Sequence, residues 1–221
     1  MNNYLRFPSI MLCIGFCNSG KTYSIQYTIK TTKCFDFIII ISNTAEFTGD
    51  YAFLKDLGIG YRIYSASAIN EVMKYVMDVQ KKNLLEGNKI NVAIIFDDVM
   101  GSLTNNKTFQ VLASCFRHYL ISIIISTQYC NTQTTYIREL ANYVYCFNQR
   151  TERAKKSVYE SFFGDIGHFN DFKRIMNNLE PYQFFFVDRI LKKRIIMRCP
   201  SAENKKAEPK ETKEDFIKNF R

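Results

Sequence analysis

The residues whose types and spacing could carry chemistry begin with an eight-residue segment, Gly-Phe-Cys-Asn-Ser-Gly-Lys-Thr, at positions 15–22. The segment matches the pattern G-x-x-x-x-G-K-[S/T] at every constrained position. In such a loop, successive backbone N–H groups point inward and bind anions at a helix N-terminus, and glycines permit backbone angles that a β-carbon hinders. We therefore predict a nucleotide-binding loop made of Gly15, Phe16, Cys17, Asn18, Ser19, Gly20, Lys21, Thr22 and Tyr23.

The last residues of this loop have distinct expected roles. Lys21 would reach the β- and γ-phosphates of ATP, and the hydroxyl of Thr22 would help to hold Mg²⁺. A glycine-containing turn that matches the pattern by chance is the alternative. The flanking sequence argues against chance, because an apolar strand pattern (9–14) precedes the loop and a helical pattern (21–30) follows it.

Two adjacent carboxylates, Asp97 and Asp98, follow a run of five apolar residues that predicts a buried strand. Ligands of open α/β sheets bind at the carboxyl ends of the strands, so these acids are expected to face the same crevice as Lys21. Asp97 is predicted to bind Mg²⁺, and Asp98 to orient or deprotonate an attacking water. The alternative is a solvated pair of acids in a loop.

Five further side chains, one glutamine and four arginines, are candidates for the chemistry. Gln128 ends the next apolar strand and could sense the γ-phosphate, although a surface glutamine is the simpler reading. Arg117 is the first candidate for an arginine finger that stabilises transition-state charge across a subunit interface. A cation favoured by the dipole of a helix C-terminus explains Arg117 equally well. Other candidates for the finger are Arg138, Arg150 and Arg153.

Apolar runs alternate with helical patterns along the chain, which is typical of a mostly parallel α/β sheet flanked by helices. The predicted strands are 9–14, 36–42, 61–65, 90–97, 121–127, 143–147, 182–188 and 193–198, the last two forming an edge hairpin. The predicted helices are 21–30, 67–83, 105–118, 133–140, 151–162 and 168–178. Residues 1–200 are therefore expected to form one domain and residues 201–221 a charged, flexible tail.

The composition indicates the class of binding partner and the cellular compartment. The 221 residues carry a formal net charge of +9, which favours a polyanionic partner, nucleic acid before an anionic membrane surface. Seven scattered cysteines without a C-x-x-C pair indicate free thiols in a reducing compartment. The sequence shows no leader and no apolar run of ~20 residues, so we expect a soluble intracellular protein without a structural zinc. Candidate DNA-binding clusters are 150–156 and 189–198.

Taken together, the loop, Asp97-Asp98 and the stretch Arg117-His118, apolar strand, Thr127-Gln128 resemble the genome-packaging ATPases of large DNA viruses and virophages. These poxvirus-type proteins belong to the FtsK/HerA superfamily. The motifs cover about residues 9–128, and the similarity of fold is expected to reach about residue 200. One departure is that bacterial relatives typically carry Asp-Glu where this chain has two aspartates, which places the base farther from the water.

The resemblance implies a RecA-like P-loop core of the ASCE type that uses ATP and Mg²⁺. It also implies a hexameric or pentameric ring that threads double-stranded DNA, without sequence preference, into a preformed capsid. Capsid or membrane-vertex components would be its partners, and the host cytoplasm at the virus factory, or the virion, its location. By this analogy Asp97 is the metal-linked acid, Asp98 activates water, Gln128 is the sensor and Arg117 is the finger.

Two other functions remain open at this point. A nucleoside or nucleotide kinase has a similar length, and the basic segment 150–156 could serve as its lid. The third hypothesis is an assembly factor that binds ATP without hydrolysing it, so that ATP binding orders a ring. Two GTPase-like patterns, at 98–101 and 212–215, are discounted because such short patterns occur by chance and the second has no strand before it.

Overall fold

One sheet of eight strands runs through the described part of the chain, which in this computed structural model comprises residues 5–99, 101–132, 134–165 and 167–199. Its spatial order is β3-β2-β4-β5-β1-β6-β7-β8. The strands are β1 (Ile10–Ile14), β2 (Phe37–Ile41), β3 (Gly60–Tyr64), β4 (Val92–Asp97), β5 (Ile121–Thr127), β6 (Tyr143–Phe147), β7 (Gln183–Asp188) and β8 (Lys193–Arg198).

The first six strands in the chain are parallel, and the last two form an antiparallel hairpin at one end of the sheet. The central strand β1 pairs with β5 on one side and β6 on the other, so that Leu12 lies opposite Ile125 and Val144. All six parallel strands therefore end at the same side of the sheet, which we call the carboxyl edge. Because β7 is antiparallel to β6, its first residues lie at that edge too.

Helices cover both faces of the sheet, because alternate residues of the buried strands point to opposite sides. On β1, Ile10, Leu12 and Ile14 belong to one apolar cluster, and Met11 and Cys13 to the other. The helices are α1 (Lys21–Thr32), α2 (Ala45–Thr48), α3 (Phe53–Asp56), α4 (Ile69–Leu85), α5 (Lys107–Cys115), α6 (Thr135–Leu140), α7 (Glu152–Phe162) and α8 (Phe169–Asn177). Helices α1, α2 and α3 pack on the Met11 side, and α4 to α8 pack on the Leu12 side.

All eight predicted strands and all six predicted helices are present, and most boundaries agree within two residues. The predicted helix 105–118 is shorter at both ends: α5 begins at Lys107, because the side chain of Asn106 accepts a hydrogen bond from the Phe109 N–H and caps the helix, and it ends at Cys115. The sequence did not predict α2 and α3, since four residues are too few to show a helical period. The predicted tail, 201–221, and Gln133 at the start of a predicted helix lie outside the described residues.

None of the helices in the described ranges combines the length and the apolar character that a bilayer-spanning helix needs.

Candidate nucleotide-binding site

The predicted phosphate loop, residues 15–22, connects the end of β1 to the start of α1 at the carboxyl edge. The Gly15 N–H donates to the Thr127 carbonyl at 3.1 Å, which ties the start of the loop to the end of β5. The Ser24 N–H donates to the Gly20 carbonyl at 2.9 Å and begins the helical ladder. The loop is thus held at both ends, with the N-terminus of α1 opening onto the carboxyl edge.

Both glycines of the loop are required by geometry. A β-carbon at Gly15 would lie 2.5 Å from the Phe147 Cβ and 2.5 Å from the Ser19 Oγ, so no larger residue fits without movement. Gly20 has a φ of +104°, and a β-carbon there would lie 2.9 Å from a ring carbon of Tyr182. The prediction that these two positions need glycine is therefore supported by contacts as well as by pattern.

Lys21 is buried within the loop that it is expected to serve. Its Nζ donates hydrogen bonds to the Gly15 and Phe16 carbonyls at 2.8 and 2.9 Å, and the residue is 9% exposed. Burial lowers the pKa of Lys21, and the charges of Asp98 and Asp97 oppose that shift. The loop that carries Lys21 is bonded to the end of β5, and β5 pairs with β4, which ends at Asp97, so the lysine and the acids lie at the same edge of the sheet. Both acceptors are carbonyls of the loop itself, so the ammonium group already lies where a phosphate bound in the loop would accept from it.

Asp97 ends β4 and accepts a hydrogen bond from a tyrosine that is distant in sequence. The Tyr51 Oη, which lies in the turn between α2 and α3, donates to the Asp97 Oδ2 at 2.8 Å. Burial raises the pKa of Asp97, and the hydrogen bond from Tyr51 acts against that rise. Burial also raises the pKa of Tyr51, with the negative charge of Asp97 adding to the effect, so the phenol stays protonated and remains a donor.

Asp98 is exposed, in contrast to its neighbour, and its backbone has a φ of +54°. A left-handed conformation is uncommon for a residue with a β-carbon and indicates a local constraint at the strand end. The Gln128 Nε2, at the end of β5, donates to the Asp98 Oδ1 at 3.4 Å. The structure thus brings together the acid and the amide that the sequence placed at two neighbouring strand ends.

The polar side chains around the loop have the chemistry to bind a triphosphate with Mg²⁺. Mg²⁺ prefers oxygen ligands and retains several waters, and the carboxylate of Asp97 has acceptor capacity beyond its bond to Tyr51. The Thr22 hydroxyl makes no hydrogen bond to any described residue. The Ser19 Oγ, which lies 2.5 Å from the position of a β-carbon at Gly15, is buried without a partner among the described residues. The Ser19 hydroxyl is therefore a free donor for a phosphate oxygen, since a hydroxyl can donate as well as accept.

The arginines do not all lie near this site. Arg117 precedes β5, so it lies at the side of the sheet opposite to the phosphate loop, exposed, with its guanidinium 5.3 Å from the Phe116 ring centroid. The guanidinium of Arg150 packs against the phosphate loop, 4.7 Å from the Phe16 ring centroid. Arg138 donates to the Ser161 hydroxyl at 3.0 Å and to the Thr135 hydroxyl at 3.1 Å. Arg117 therefore contributes nothing to the site of its own subunit, and its action in a neighbour stays a prediction.

The two candidate DNA-binding clusters differ in how far they are engaged within the chain. In the cluster 189–198, Arg189 pairs with Glu139 at 3.0 Å, Arg194 with Asp165 at 2.7 Å, and Arg198 with Glu180. In the cluster 150–156, Lys156 pairs with Glu160 at 3.9 Å on an exposed surface, which is a weak interaction. Within the described residues, at least three of the five basic residues of 189–198 are paired with acids, against one of the four basic residues of 150–156.

Sequence reasoning missed two tyrosines that touch the site. Tyr51 lies in a segment with no periodic pattern, and Tyr182 just before β7, in a left-handed conformation with a φ of +64°. Neither residue carries a local signal, because each reaches the site through a contact distant in sequence.

Comparison with known proteins gives relatives of the chain and of its fold. No protein-family model matches the chain. It is 24% identical over 172 residues to an uncharacterized protein of Acanthamoeba polyphaga mimivirus, covering 74% of this chain and 60% of that protein. It is also 24% identical over 156 residues to an uncharacterized protein of Frog virus 3, covering 69% and 48%. The chain thus spans about half to three fifths of the length of these curated relatives.

Similar solved structures match over a larger share of this chain than these relatives do. The genome packaging NTPase B204 from Sulfolobus turreted icosahedral virus 2, in complex with ATP-gammaS, superimposes with a TM-score of 0.66 at 17% identity. That match covers 87% of this chain and 97% of the other. The conjugation coupling protein TcpA with ATPgS matches with a TM-score of 0.61 at 14% identity, covering 86% and 59%. The resemblance to viral genome-packaging ATPases of the FtsK/HerA type is thereby confirmed as a likeness of fold: the chain has the α/β fold of the P-loop NTPases, with a mostly parallel sheet and a C-terminal hairpin.

Proposed function

We propose that the chain is an ATP hydrolase that drives double-stranded DNA into a viral capsid. The observation that carries the proposal is that the glycine loop with Lys21, at the end of β1, and the acids Asp97 and Asp98, at the end of β4, lie at the same edge of the sheet. The likeness of fold to a genome packaging NTPase solved with an ATP analogue supports it. The net charge of +9 supports a polyanionic partner.

Each side chain has a role that follows from its position. Lys21 gives up its bonds to the Gly15 and Phe16 carbonyls and donates to the phosphates instead. The N–H groups of the loop and of the first turn of α1 bind the remaining phosphate oxygens. Asp98, exposed at the carboxyl edge, accepts a proton from the attacking water, and Gln128 holds that carboxylate in place through its 3.4 Å bond.

The Thr22 hydroxyl and the Asp97 carboxylate would hold Mg²⁺, directly or through water. When bound, the metal would offset the charge that develops on the phosphates. Tyr51 orients the carboxylate for this task, because its hydroxyl donates to the Oδ2 and leaves the Oδ1 available to the metal. Burial of Asp97 and Lys21 keeps these charges in a region where their interactions are screened less than in water.

The working form is proposed to be a ring of five or six subunits in the virus factory or the virion. It would be attached to capsid or membrane-vertex components, and Arg117 of one subunit would reach the site of the next. Arg117 is exposed and far from its own loop, as an arginine that acts on a neighbour must be. The basic segment 150–156 is the proposed contact with DNA phosphates, which give affinity without sequence preference.

Phosphate release from ATP with Mg²⁺ tests the proposal. We expect turnover that rises with double-stranded DNA, and a loss on the order of 10²-fold or more in Lys21→Ala, since one phosphate-binding donor is removed. Lys82→Ala is the matched control, because Lys82 is an exposed lysine of α4. Unchanged turnover in Lys21→Ala would show that the site lies elsewhere.

The product distinguishes this function from the other two. A kinase would give a phosphorylated nucleoside or nucleotide in place of free phosphate. An assembly factor would form rings with ATP while releasing negligible phosphate. Free phosphate as the main product, released faster in the presence of DNA, is the outcome expected here.

A further inference from the structure

We infer that Tyr182, together with Tyr23, forms the platform on which the base of the bound nucleoside triphosphate stacks. This inference rests on the proposed function, because it names the part of the same site that holds the nucleoside. Tyr182 lies at the far end of the chain from the phosphate loop and belongs to no sequence motif.

The order of the strands decides where the base must lie. Along the carboxyl edge, the acids stand at the end of β4, Gln128 at the end of β5 and the phosphate loop at the end of β1. The γ-phosphate points toward the acids, since they act on it and on the attacking water. The α-phosphate and the nucleoside must then leave the loop on the opposite side, where β6 ends and β7 begins. Tyr182 is the residue that precedes β7.

The contacts of Tyr182 place its ring beside the loop and next to a second aromatic ring. A ring carbon lies 2.9 Å from the position that a β-carbon at Gly20 would take. The ring meets that of Tyr23 edge to face, with the centroids 5.9 Å apart and the planes at 77°. Tyr23 is in the first turn of α1 and is 36% exposed, and Tyr182 is partly exposed, so neither ring is fully enclosed by the chain.

The backbone holds Tyr182 in an unusual conformation. Its φ is +64°, which is rare for a residue with a bulky side chain, and its carbonyl accepts from the Cys199 N–H at 3.0 Å. Conformations of this kind persist where the surroundings impose them. Here the imposed conformation directs an aromatic ring toward the N-terminus of α1.

Aromatic faces recognise a base through stacking, which tolerates any base because every base has a π-face. The platform therefore adds affinity for the nucleoside without selecting strongly among nucleotides. Removing one ring should weaken binding of the whole nucleotide and leave binding of the phosphates alone unaffected. GTP is expected to show the same dependence on the two rings as ATP.

The test is calorimetric titration of the full chain with ATP and, separately, with inorganic tripolyphosphate, both with Mg²⁺. We expect Tyr182→Ala and Tyr23→Ala to weaken ATP binding roughly 5- to 150-fold, the range that corresponds to the loss of one stacked base. Tripolyphosphate should bind these variants as it binds the unmodified chain, which also shows that the loop is intact. Tyr182→Phe should retain ATP binding, and Tyr75→Ala, at an exposed tyrosine of α4, is the matched control.

Two results would overturn the inference while leaving the proposed function in place. In the first, both alanine variants bind ATP with the affinity of the unmodified chain. In the second, Tyr182→Ala weakens the binding of tripolyphosphate as much as the binding of ATP, which would mean that the ring only supports the backbone at Gly20. If the unmodified chain binds neither ligand, the proposed function fails, and the inference fails with it.

Discussion

The hydroxyl of Tyr51 donates a hydrogen bond of 2.8 Å to the Oδ2 of Asp97, across 46 positions of sequence. Both residues are buried, Tyr51 completely. The bond joins the irregular segment that contains α2 and α3 to the acid at the end of β4. A segment without any motif thus orients the carboxylate that is proposed to hold the metal.

Tyr51→Phe is expected to lower both stability and turnover. The change removes a hydrogen bond to a charged group, which is worth about 1.5–3 kcal/mol, and leaves the ring in place. The free energy of unfolding, measured in urea, should fall by an amount of that order. ATP turnover should require more Mg²⁺, because the carboxylate is no longer oriented. Tyr75→Phe, at an exposed tyrosine, is the control, and an unchanged magnesium dependence in Tyr51→Phe would contradict a positioning role.

Asp97→Asn is expected to stabilise the metal-free protein at neutral pH while abolishing turnover. Burial raises the pKa of Asp97 in the native state above the ordinary value of 3.8, which the unfolded state keeps. In the pH window between the unfolded-state pKa and the higher native-state pKa, the native state therefore binds more protons than the unfolded state. Stability contributed by this group is therefore present at low pH, falls as pH rises through that window and stays at the lower level above it.

Urea unfolding with a chelator present, at acid and at neutral pH, measures this effect. The asparagine keeps an acceptor for Tyr51 but has no charge to bury, so its stability should not fall across the window. Asp78→Asn, at an exposed position of α4, should behave like the unmodified chain. A neutral-pH stability of Asp97→Asn below that of the unmodified chain would show that the buried carboxylate stabilises the fold.

Cys17, in the phosphate loop, is expected to be the first cysteine modified by iodoacetamide. It is exposed, whereas the other six cysteines are buried or partly buried. Burial raises the pKa of the Cys13 and Cys146 thiols, and that of Cys199 to about 12, so these groups remain protonated and unreactive. ATP with Mg²⁺ should slow the modification, as followed by peptide mass spectrometry. Equal rates at Cys17 with and without ATP would argue against this loop as the phosphate site.

Mixing experiments should show whether an arginine acts in its own subunit or in the next one. Arg117→Ala alone is expected to lower turnover by about 10³-fold or more if it supplies the finger, and Asp98→Asn by about 10²- to 10⁴-fold. A mixture of the two variants should recover activity, because some interfaces then combine an intact acid with an intact arginine.

Arg150 provides the matched comparison, since it lies on Phe16 of its own loop. If Arg150 acts on the phosphates of its own subunit, Arg150→Ala alone should lower turnover, and its mixture with Asp98→Asn should stay inactive, because every site then lacks one of the two groups. Recovery with Arg150→Ala and none with Arg117→Ala would reverse the two assignments.

Most of the fold could be predicted from the sequence, because its signals are local. Fully apolar strands such as Phe37–Ile41 indicate a sheet covered on both faces, and the structure has that sheet. The phosphate loop and the acids after β4 were recognisable since their spacing along the chain is itself constrained by the chemistry. The short helices α2 and α3 were not, because four residues show no period.

The sequence by itself determined the glycine loop, the lysine within it and the strand-end acids, since each depends on neighbours a few positions away. Only the tertiary structure decided that Tyr51 holds Asp97, that Tyr182 packs against Gly20, and that Arg117 lies on the far side from its own loop. These relationships depend on the order of the strands, β4-β5-β1-β6-β7, which brings together residues far apart in the chain. No local pattern encodes that order, because it is set by which strands and helices bury their faces against each other.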